Sequence, residues 1–315
     1  GMAASVWIAG GGSPPSTVIV KLFADGSASL NMGASDIGTG TKTVMAMVLA
    51  EELGLKPQAI HIEHADTGTT QYATPSGGSK TVPTEAPAVR DAAVKVKQQL
   101  LEMAADEMDV PLDDLIFKGP AIVARSQPER RMPVTDLDGL AKRGVVVGVG
   151  HRGPNPQDKA ICPFCVQFCE VEVNTRSGEL RIVRFLSSNE SGRVLNRLAF
   201  DGQVVGGVTM GIGLATTEMR ILDVNRTGKM VNRNWHDYKL PTAMDVPETI
   251  VSVPIDMPDD QANTTGAKGL GEPVTIPTAA AVANAVCHAL GIRVTDSPIN
   301  PMQLCRLLNE ETPRS

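Results

Sequence analysis

One carboxylate of the sequence is set in unusual surroundings. Glu272 lies between a glycine-rich turn, which contains Gly269 and Gly271, and a small-residue apolar helix predicted over residues 279–290. Glycine permits positive φ and lets the backbone pass close to a bulky ligand, and Pro273 stiffens the chain after the carboxylate. A carboxylate held rigidly at the mouth of a buried helix is suited to act as a general base in a site that excludes water. The alternative is an ordinary turn with an exposed glutamate.

Two other glycine turns carry groups that could bind a ligand. The first is Gly38-Thr39-Gly40-Thr41 and the second is Ser76-Gly77-Gly78-Ser79-Lys80-Thr81, and each precedes a predicted helix. Backbone N–H groups at helix N-termini favour anions and polar heterocycles. The first turn is not a P-loop, because the Lys-Ser/Thr pair is missing at the required offset. Two such turns can converge on one extended anionic cofactor, although a generic phosphate-binding α/β domain would use them in the same way.

Alternation and helical periodicity predict the elements that position these turns. A hairpin is predicted over Ser16–Phe23 and Ala28–Met32, and a further strand over Gln58–His64. Helical spacing follows each turn, because apolar residues recur on one face at intervals of three and four. In the second helix that face comprises Val89, Ala93, Val96, Leu100 and Met103. The alternation of strands and helices predicts an α+β fold.

Three cysteines, Cys162, Cys165 and Cys169, form a C-x2-C-x3-C pattern that resembles a metal motif. The flanking sequence alternates between apolar and polar residues, which predicts a strand over this region. Residues three apart on a strand face opposite sides, so Cys162 and Cys165 could not easily share a metal ion. We therefore predict buried or partly buried thiols here, and no protein-ligated metal.

Composition excludes several classes of protein. The 315 residues are 42% hydrophobic and 20% charged, with a formal net charge of −6. The absence of a basic run argues against a nucleic-acid partner. No apolar run reaches about 18 residues, so no membrane span is expected, and no signal peptide is recognisable. Five cysteines in a chain of this length do not form a disulfide scaffold, and they fit a reducing compartment, the cytoplasm.

Several segments resemble the xanthine dehydrogenase/aldehyde oxidase family of molybdenum hydroxylases. The matching segments are DIGTGT at 36–41, EELG at 51–54, DTGTT at 66–70, PSGGS at 75–79, Gly192-Arg193-Val194 with Asn196, and Gly-Glu-Pro at 271–273. The resemblance implies two lobes of mixed β-sheet with packed helices, which we place at residues 1–150 and 151–315. It also implies a molybdenum–pterin cofactor, either molybdopterin or its cytosine dinucleotide. Glu272 would be the general base for oxidation of an N-heterocycle or an aldehyde with oxygen derived from water.

The same resemblance assigns a set of cofactor-binding residues. They are Gly38, Thr39, Gly40, Thr41, Ser76, Gly77, Gly78, Ser79, Thr81, Met210 and Gly271. Two of them depart from the family pattern, in which Thr39 and Met210 are often glutamine. Threonine keeps a hydroxyl group but is shorter, and methionine cannot donate a hydrogen bond.

The resemblance extends over about residues 6–308 and corresponds to the second half of the family's molybdenum portion. We therefore expect this chain to be a fragment or one subunit of a split enzyme, inactive without partners. The partners would be the remaining molybdenum-domain half and the iron–sulfur and flavin subunits or domains, which would hold the [2Fe–2S] clusters and FAD. The alternative is a non-catalytic homologous domain that only pairs with a partner subunit.

Overall fold

The structure of the chain, a computed structural model, describes residues 1–8 and 15–311. Its strands are β1 (Met2–Val6), β2 (Ser16–Phe23), β3 (Ala28–Met32), β4 (Ile60–His64), β5 (Leu115–Phe117), β6 (Ala121–Ala124), β7 (Arg131–Pro133), β8 (Val145–Arg152), β9 (Phe164–Val173), β10 (Leu180–Glu190) and β11 (Thr249–Ile255). Its helices are α1 (Thr41–Leu53), α2 (Thr81–Met108), α3 (Asp138–Arg143), α4 (Arg197–Thr216), α5 (Glu272–Thr275), α6 (Thr278–Leu290) and α7 (Pro301–Glu311).

The first lobe is a sheet of order β4-β3-β2-β8 that packs against α1 and α2. The hairpin β2–β3 and the pair β2–β8 are antiparallel, whereas β3 and β4 are parallel. The predicted apolar face of α2 is buried along its length. Gly150 allows α2 to lie directly on β8, because a Cβ there would be 1.9 Å from the carbonyl oxygen of Ala88. The hairpin and both helices predicted from periodicity are therefore confirmed in this lobe.

The second lobe is a sheet of order β1-β9-β10-β11, with α4, α5, α6 and α7 on its inner side. The pair β10–β11 is parallel and the other pairs are antiparallel. Each four-stranded sheet is thus mixed, and the predicted α+β fold of two lobes with packed helices is confirmed. The outer face of this second sheet leaves several large apolar side chains exposed: Met2, Phe164, Phe168, Val251 and Val253.

The glycines of α4 are explained by close packing on α5 and α6. A Cβ at Gly207 would lie 2.8 Å from the side chain of Val274, and one at Gly211 would lie 2.3 Å from Thr278. Glycines cost a helix about 1 kcal/mol each relative to alanine, and here they allow α4 to approach the element that carries Glu272.

Two details go beyond the pattern of the sequence. Strand β1 is hydrogen-bonded to β9, so residues 2–6 belong to the sheet of the second lobe. The division at residue 150 stays a prediction. The chain on either side of the turn at residues 225–228 is joined by an isolated bridge between Leu222 and Met230.

Two helical stretches of the described chain, Arg197–Thr216 and Glu272–Leu290, are apolar and long enough to cross a membrane by length and composition. In each, 44% of the most apolar window is buried inside the protein. Core helices pass the same test of length and composition, and α4 packs here against α5 and α6. These stretches form the interior of the second lobe.

Candidate functional site

A cleft of about 370 Å³ lies where the two predicted glycine turns of the first lobe face the Glu272 turn of the second lobe. We call it the cleft. Its first-lobe lining comprises Ile37, Thr39, Thr41, Val44, Ser76, Gly77, Ser79, Thr81, Val82 and Pro83. Its second-lobe lining comprises Ser191, Arg193–Asn196, Ala199, Phe200, Gln203 and Ala267–Glu272.

Glu272 is the first residue of α5 and faces the cleft from an exposed position. Gly271 precedes it with φ 92° and ψ −88°, a conformation that favours glycine because a Cβ would be strained there. The hydroxyl of Ser79 donates a hydrogen bond to Glu272 Oε2 at 2.8 Å, and the Glu272 N–H donates back to Ser79 Oγ at 3.2 Å. The cleft of the described chain is open at Glu272, so the expected exclusion of water from this carboxylate stays a prediction.

A buried polar group beneath α5 fixes the backbone that follows Glu272. The Gln167 amide nitrogen donates to the carbonyl oxygen of Val274 at 2.6 Å, and the Thr278 hydroxyl donates to Gln167 Oε1 at 2.8 Å. Gln167 and Thr278 are both fully buried. Hydrogen bonds between buried groups of this kind hold a segment in one arrangement. The catalytic candidate thus begins a short helix that is anchored to the sheet of its own lobe.

The first glycine turn donates hydrogen bonds to the carboxylate of Asp36, which precedes it in the sequence. The carboxylate of Asp36 accepts hydrogen bonds from the N–H groups of Gly38, Gly40 and Lys42, at 2.9, 3.3 and 3.1 Å. Burial opposes the charged form of Asp36, but these three donors and the charge of Lys42 outweigh it, so the pKa of Asp36 lies below its usual range. The expectation of free N–H groups at Gly38 and Gly40 is therefore wrong, because Asp36 accepts from both. The hydroxyls of Thr39 and Thr41 line the cleft and lie 3.1 Å apart.

The second glycine turn does present free donors. Among the described residues, no group accepts a hydrogen bond from the N–H groups of Gly77, Gly78 or Ser79. A Cβ at Gly77 or Gly78 would meet nothing within 4 Å, so the backbone is open to a ligand. Gly78 and Ser79 both have positive φ, at 65° and 53°. Successive N–H groups in such turns form concave sites for anions.

Most residues predicted for the site are brought together in the cleft. Glu272, Gly271, Thr39, Thr41, Ser76, Gly77, Ser79 and Thr81 line it, and Gly38, Gly40 and Gly78 belong to the same turns. Met210 is not among the residues that line the cleft, and 57% of its surface is exposed. The binding roles of all these residues stay predictions.

Of two further polar side chains of the cleft, Gln203 was missed from the sequence, and Arg193 was identified only as part of a matching segment. Gln203 lies on α4, and its Oε1 would be 2.8 Å from a Cβ placed on Gly271, so it directly adjoins the Glu272 turn. Gln203 lies two helical turns before Met210 on α4. Because Met210 was predicted to bind the cofactor, a polar residue on the same helix could have been considered as well. Arg193 also lines the cleft, and within the described residues its guanidinium has no partner. The neighbouring Lys268 is neutralised by Glu190 at 2.5 Å.

The cysteines and other ligand types form no metal centre in residues 1–8 and 15–311, where no group of three or more His, Cys, Asp or Glu side chains could hold an ion. Cys165 and Cys169 are buried on one face of β9. Burial raises the pKa of the Cys165 thiol to about 11 and that of Cys169 to about 12. Cys162 is half-buried, so the prediction of buried or partly buried thiols is confirmed for all three cysteines.

Comparison with known families and sequences gives a consistent result. Residues 1–247 match the model of the molybdopterin cofactor-binding domain. The chain is 32% identical over 289 residues to the putative xanthine dehydrogenase molybdenum-binding subunit XdhA of Escherichia coli (strain K12), with 89% of this chain and 37% of that protein covered. It is 30% identical over 312 residues to the 6-hydroxypseudooxynicotine dehydrogenase complex subunit gamma of Paenarthrobacter nicotinovorans, with 92% and 38% covered.

Solved structures share the fold over nearly the whole chain. Quinoline 2-oxidoreductase from Pseudomonas putida 86 superposes with a TM-score of 0.88 at 22% identity, covering 99% of this chain and 42% of that one. CO dehydrogenase from Oligotropha carboxidovorans superposes with a TM-score of 0.87 at 24% identity, covering 99% and 41%. The chain therefore spans about two fifths of the length of the proteins it matches.

Proposed function

Since this chain belongs to the xanthine dehydrogenase/aldehyde oxidase family of molybdenum enzymes, through their molybdopterin cofactor-binding domain, we propose that it forms one wall of a molybdenum hydroxylase active site. The complete enzyme would oxidise an N-heterocycle or an aldehyde with oxygen derived from water. Glu272 would be its general base.

The observation that carries this proposal is the position of Glu272. It is the one carboxylate among the residues that line the cleft, and it faces the two glycine turns across the cleft. The alternatives for a base are poor, because the other lining side chains are hydroxyls, amides, cations and apolar groups. A general base must lie within hydrogen-bond reach of the proton that it removes, and only Glu272 can do so from this wall.

The donors of the cleft fit a pterin that carries a phosphate group. The N–H groups of Gly77, Gly78 and Ser79 and the guanidinium of Arg193, which have no partner among the described residues, suit phosphate oxygens. The amide of Gln203 and the hydroxyls of Thr39, Ser76 and Thr81 suit the polar edge of a heterocycle. The pterin would bring the metal, because the described residues offer no ligand set of their own. When bound, the molybdenum–pterin cofactor would supply the two-electron redox chemistry.

The two carboxylate oxygens of Glu272 differ in their hydrogen bonding. Oε2 accepts from Ser79, whereas no described group bonds to Oε1. Oε1 is therefore the atom that would take the proton as the water-derived oxygen attacks the substrate carbon. General-base assistance of this kind is worth about 10²–10⁴ in rate.

The open side of the cleft requires a partner. Water must be excluded from such a site for its electrostatics to be strong, and Glu272 is exposed here. The remaining half of the molybdenum domain would close it, and iron–sulfur and flavin subunits would accept the electrons. The names of two relatives support this arrangement, since one is a molybdenum-binding subunit and another is part of a dehydrogenase complex.

The test is Glu272→Gln in the assembled enzyme. Glutamine keeps the shape and the contact with Ser79 but cannot act as a base, so we expect kcat to fall by about 10²–10⁴ with molybdenum content unchanged. The control is Glu248→Gln, an exposed glutamate just before β11 that is outside the cleft. Near-normal turnover of the Glu272→Gln enzyme would show that Glu272 is not the general base.

One observation favours the second candidate, a non-catalytic domain that only pairs with a partner. Asp36 accepts from the N–H groups of Gly38 and Gly40, so the first turn has fewer backbone donors left for a ligand than the second turn. Under this alternative the chain would form a stable complex with its partner, but the complex would contain no molybdenum when made in a host able to synthesise the cofactor.

A further inference from the structure

We propose that Ser79 is a positioning residue that holds the Glu272 carboxylate from the opposite lobe, so that the base is aimed only while the second glycine turn is in place. This proposal rests on the proposed function of Glu272. It gives Ser79 a role other than direct contact with a cofactor.

The hydroxyl of Ser79 forms two hydrogen bonds with Glu272. It donates to Glu272 Oε2 at 2.8 Å and accepts from the Glu272 N–H at 3.2 Å. A hydroxyl has one proton to donate, so Ser79 has no donor left for a ligand in this arrangement. The paired bonds fix both the backbone and the side chain of Glu272, which a single bond would not do.

The backbone of Ser79 is strained in a way that serves this contact. Its φ is 53°, in the left-handed region that residues other than glycine rarely adopt. Such conformations are destabilising and persist where the surroundings impose them, commonly at functional sites. A glycine at position 79 would be easier to accommodate, so a serine there indicates a use for the hydroxyl group.

The backbones of the two lobes are closely packed at this contact. A Cβ on Gly269 would lie 2.0 Å from the carbonyl oxygen of Ser79, so only glycine allows the Glu272 turn to come this close. A Cβ on Gly271 would lie 2.8 Å from Gln203 Oε1. Ser79 cannot shift toward the second lobe, and its hydroxyl is therefore held at a fixed distance from the carboxylate.

The contact couples ligand binding to the orientation of the base. The free N–H groups of Gly77, Gly78 and Ser79 belong to the same turn as the hydroxyl that holds Glu272. A ligand bound to those N–H groups would fix the turn and, through Ser79, the carboxylate. Oε2 would remain committed to Ser79 and Oε1 would face the reacting centre.

The experiment is a double-mutant cycle in the assembled enzyme with Ser79→Ala, Glu272→Gln and both together. Loss of orientation without loss of the base should lower kcat about 10- to 100-fold, since displacement by about 1 Å can cost 10²-fold. KM and molybdenum content should stay within twofold, because the contact matters in the transition state. In the Glu272→Gln background, Ser79→Ala should have no further effect, because the two residues act as one unit.

Two further variants keep the outcome decisive. Ser79→Gly removes the hydroxyl and relieves the positive φ, so it tests the same contact if Ser79→Ala fails to fold. Ser177→Ala removes a hydroxyl from the exposed turn between β9 and β10 and should leave kcat unchanged. Equal losses of kcat from Ser79→Ala in the presence and absence of Glu272 would overturn the proposal, as would no loss at all.

A second readout does not depend on activity. In the chain itself, the Glu272 N–H is protected by Ser79 Oγ at an exposed position, so Ser79→Ala should speed its hydrogen exchange at least tenfold. Unchanged exchange would overturn the proposal. The two hypotheses can fail separately: an active Glu272→Gln enzyme refutes the proposed function, whereas an inactive Glu272→Gln enzyme with a fully active Ser79→Ala enzyme refutes only the positioning role.

Discussion

Replacing Glu85 by glutamine should change how the stability of this protein depends on pH. Glu85 lies in the second turn of α2 with none of its surface exposed. Ser16 donates a hydrogen bond to its Oε1 at 2.5 Å, but among the described residues Oε2 has no hydrogen-bond partner and no cation forms an ion pair with Glu85. Burial raises the pKa of Glu85 from 4.5 to about 7, against the smaller opposing influence of Ser16.

The magnitude follows from the two protonation equilibria. Below pH 4.5 the carboxyl is protonated in the folded and unfolded chains alike. Between pH 4.5 and about 7 only the folded chain keeps the proton, so the free energy of unfolding falls as pH rises. At about 1.36 kcal/mol per pH unit, the full difference is about 3 kcal/mol, lost once the pH exceeds about 7. Glutamine is neutral throughout and should not show this loss.

The assay is denaturant unfolding of the wild-type chain and Glu85→Gln at pH values from 4.5 to 8. Glutamine places a buried N–H2 donor group at this position, and burying it without an acceptor would cost about 1–3 kcal/mol at every pH. The difference between variant and wild type should still shift in favour of the variant by about 3 kcal/mol across the range. Glu51→Gln, on the exposed side of α1, is the matched control. Parallel pH dependences for Glu85→Gln and wild type would refute the reasoning.

Two further predictions concern helix packing and thiol burial. Gly211→Ala should lower the free energy of unfolding by about 1–3 kcal/mol, because the added methyl group would overlap Thr278. Gly206→Ala should stabilise α4 by about 0.5–1 kcal/mol, because an added Cβ would meet nothing within 4 Å. Similar unfolding free energies for the two variants would contradict this packing. Alkylation of the folded chain at pH 8 should modify the half-buried thiols of Cys162, Cys287 and Cys305. Cys165 and Cys169 should stay unmodified, because their thiols are buried and have raised pKa values. Detection of either buried thiol in alkylated form by mass spectrometry would contradict this prediction.

The sequence was sufficient for elements whose signal is periodic. The face of α2 that contains Val89 and Leu100 could be predicted because a buried helix repeats every three or four residues. The same holds for the hairpin β2–β3, whose alternation matches the strand period. The many glycines within residues 200–214 also predict a close neighbour, because glycine destabilises a helix, and Gly207 and Gly211 pack on Val274 and Thr278.

The missing parts depend on contacts between distant residues. Nothing local in the sequence shows that Asp36 folds back on the N–H groups of the first turn, since its carboxylate could equally face solvent. The bonds between Ser79 and Glu272 join residues 193 positions apart. A site that excludes water was inferred from the helix after Glu272, whereas the cleft of the described chain is open at this residue.

The most direct test of the central claim is turnover per molybdenum atom, measured on the same samples of wild type and Glu272→Gln co-expressed with the partner subunits. The account predicts about one molybdenum and one pterin per complex in both, with turnover lowered by about 10²–10⁴ in the variant. Turnover within a few fold of wild type at equal molybdenum content would show that Glu272 is not the base, and complexes without molybdenum would contradict the assignment of the cleft.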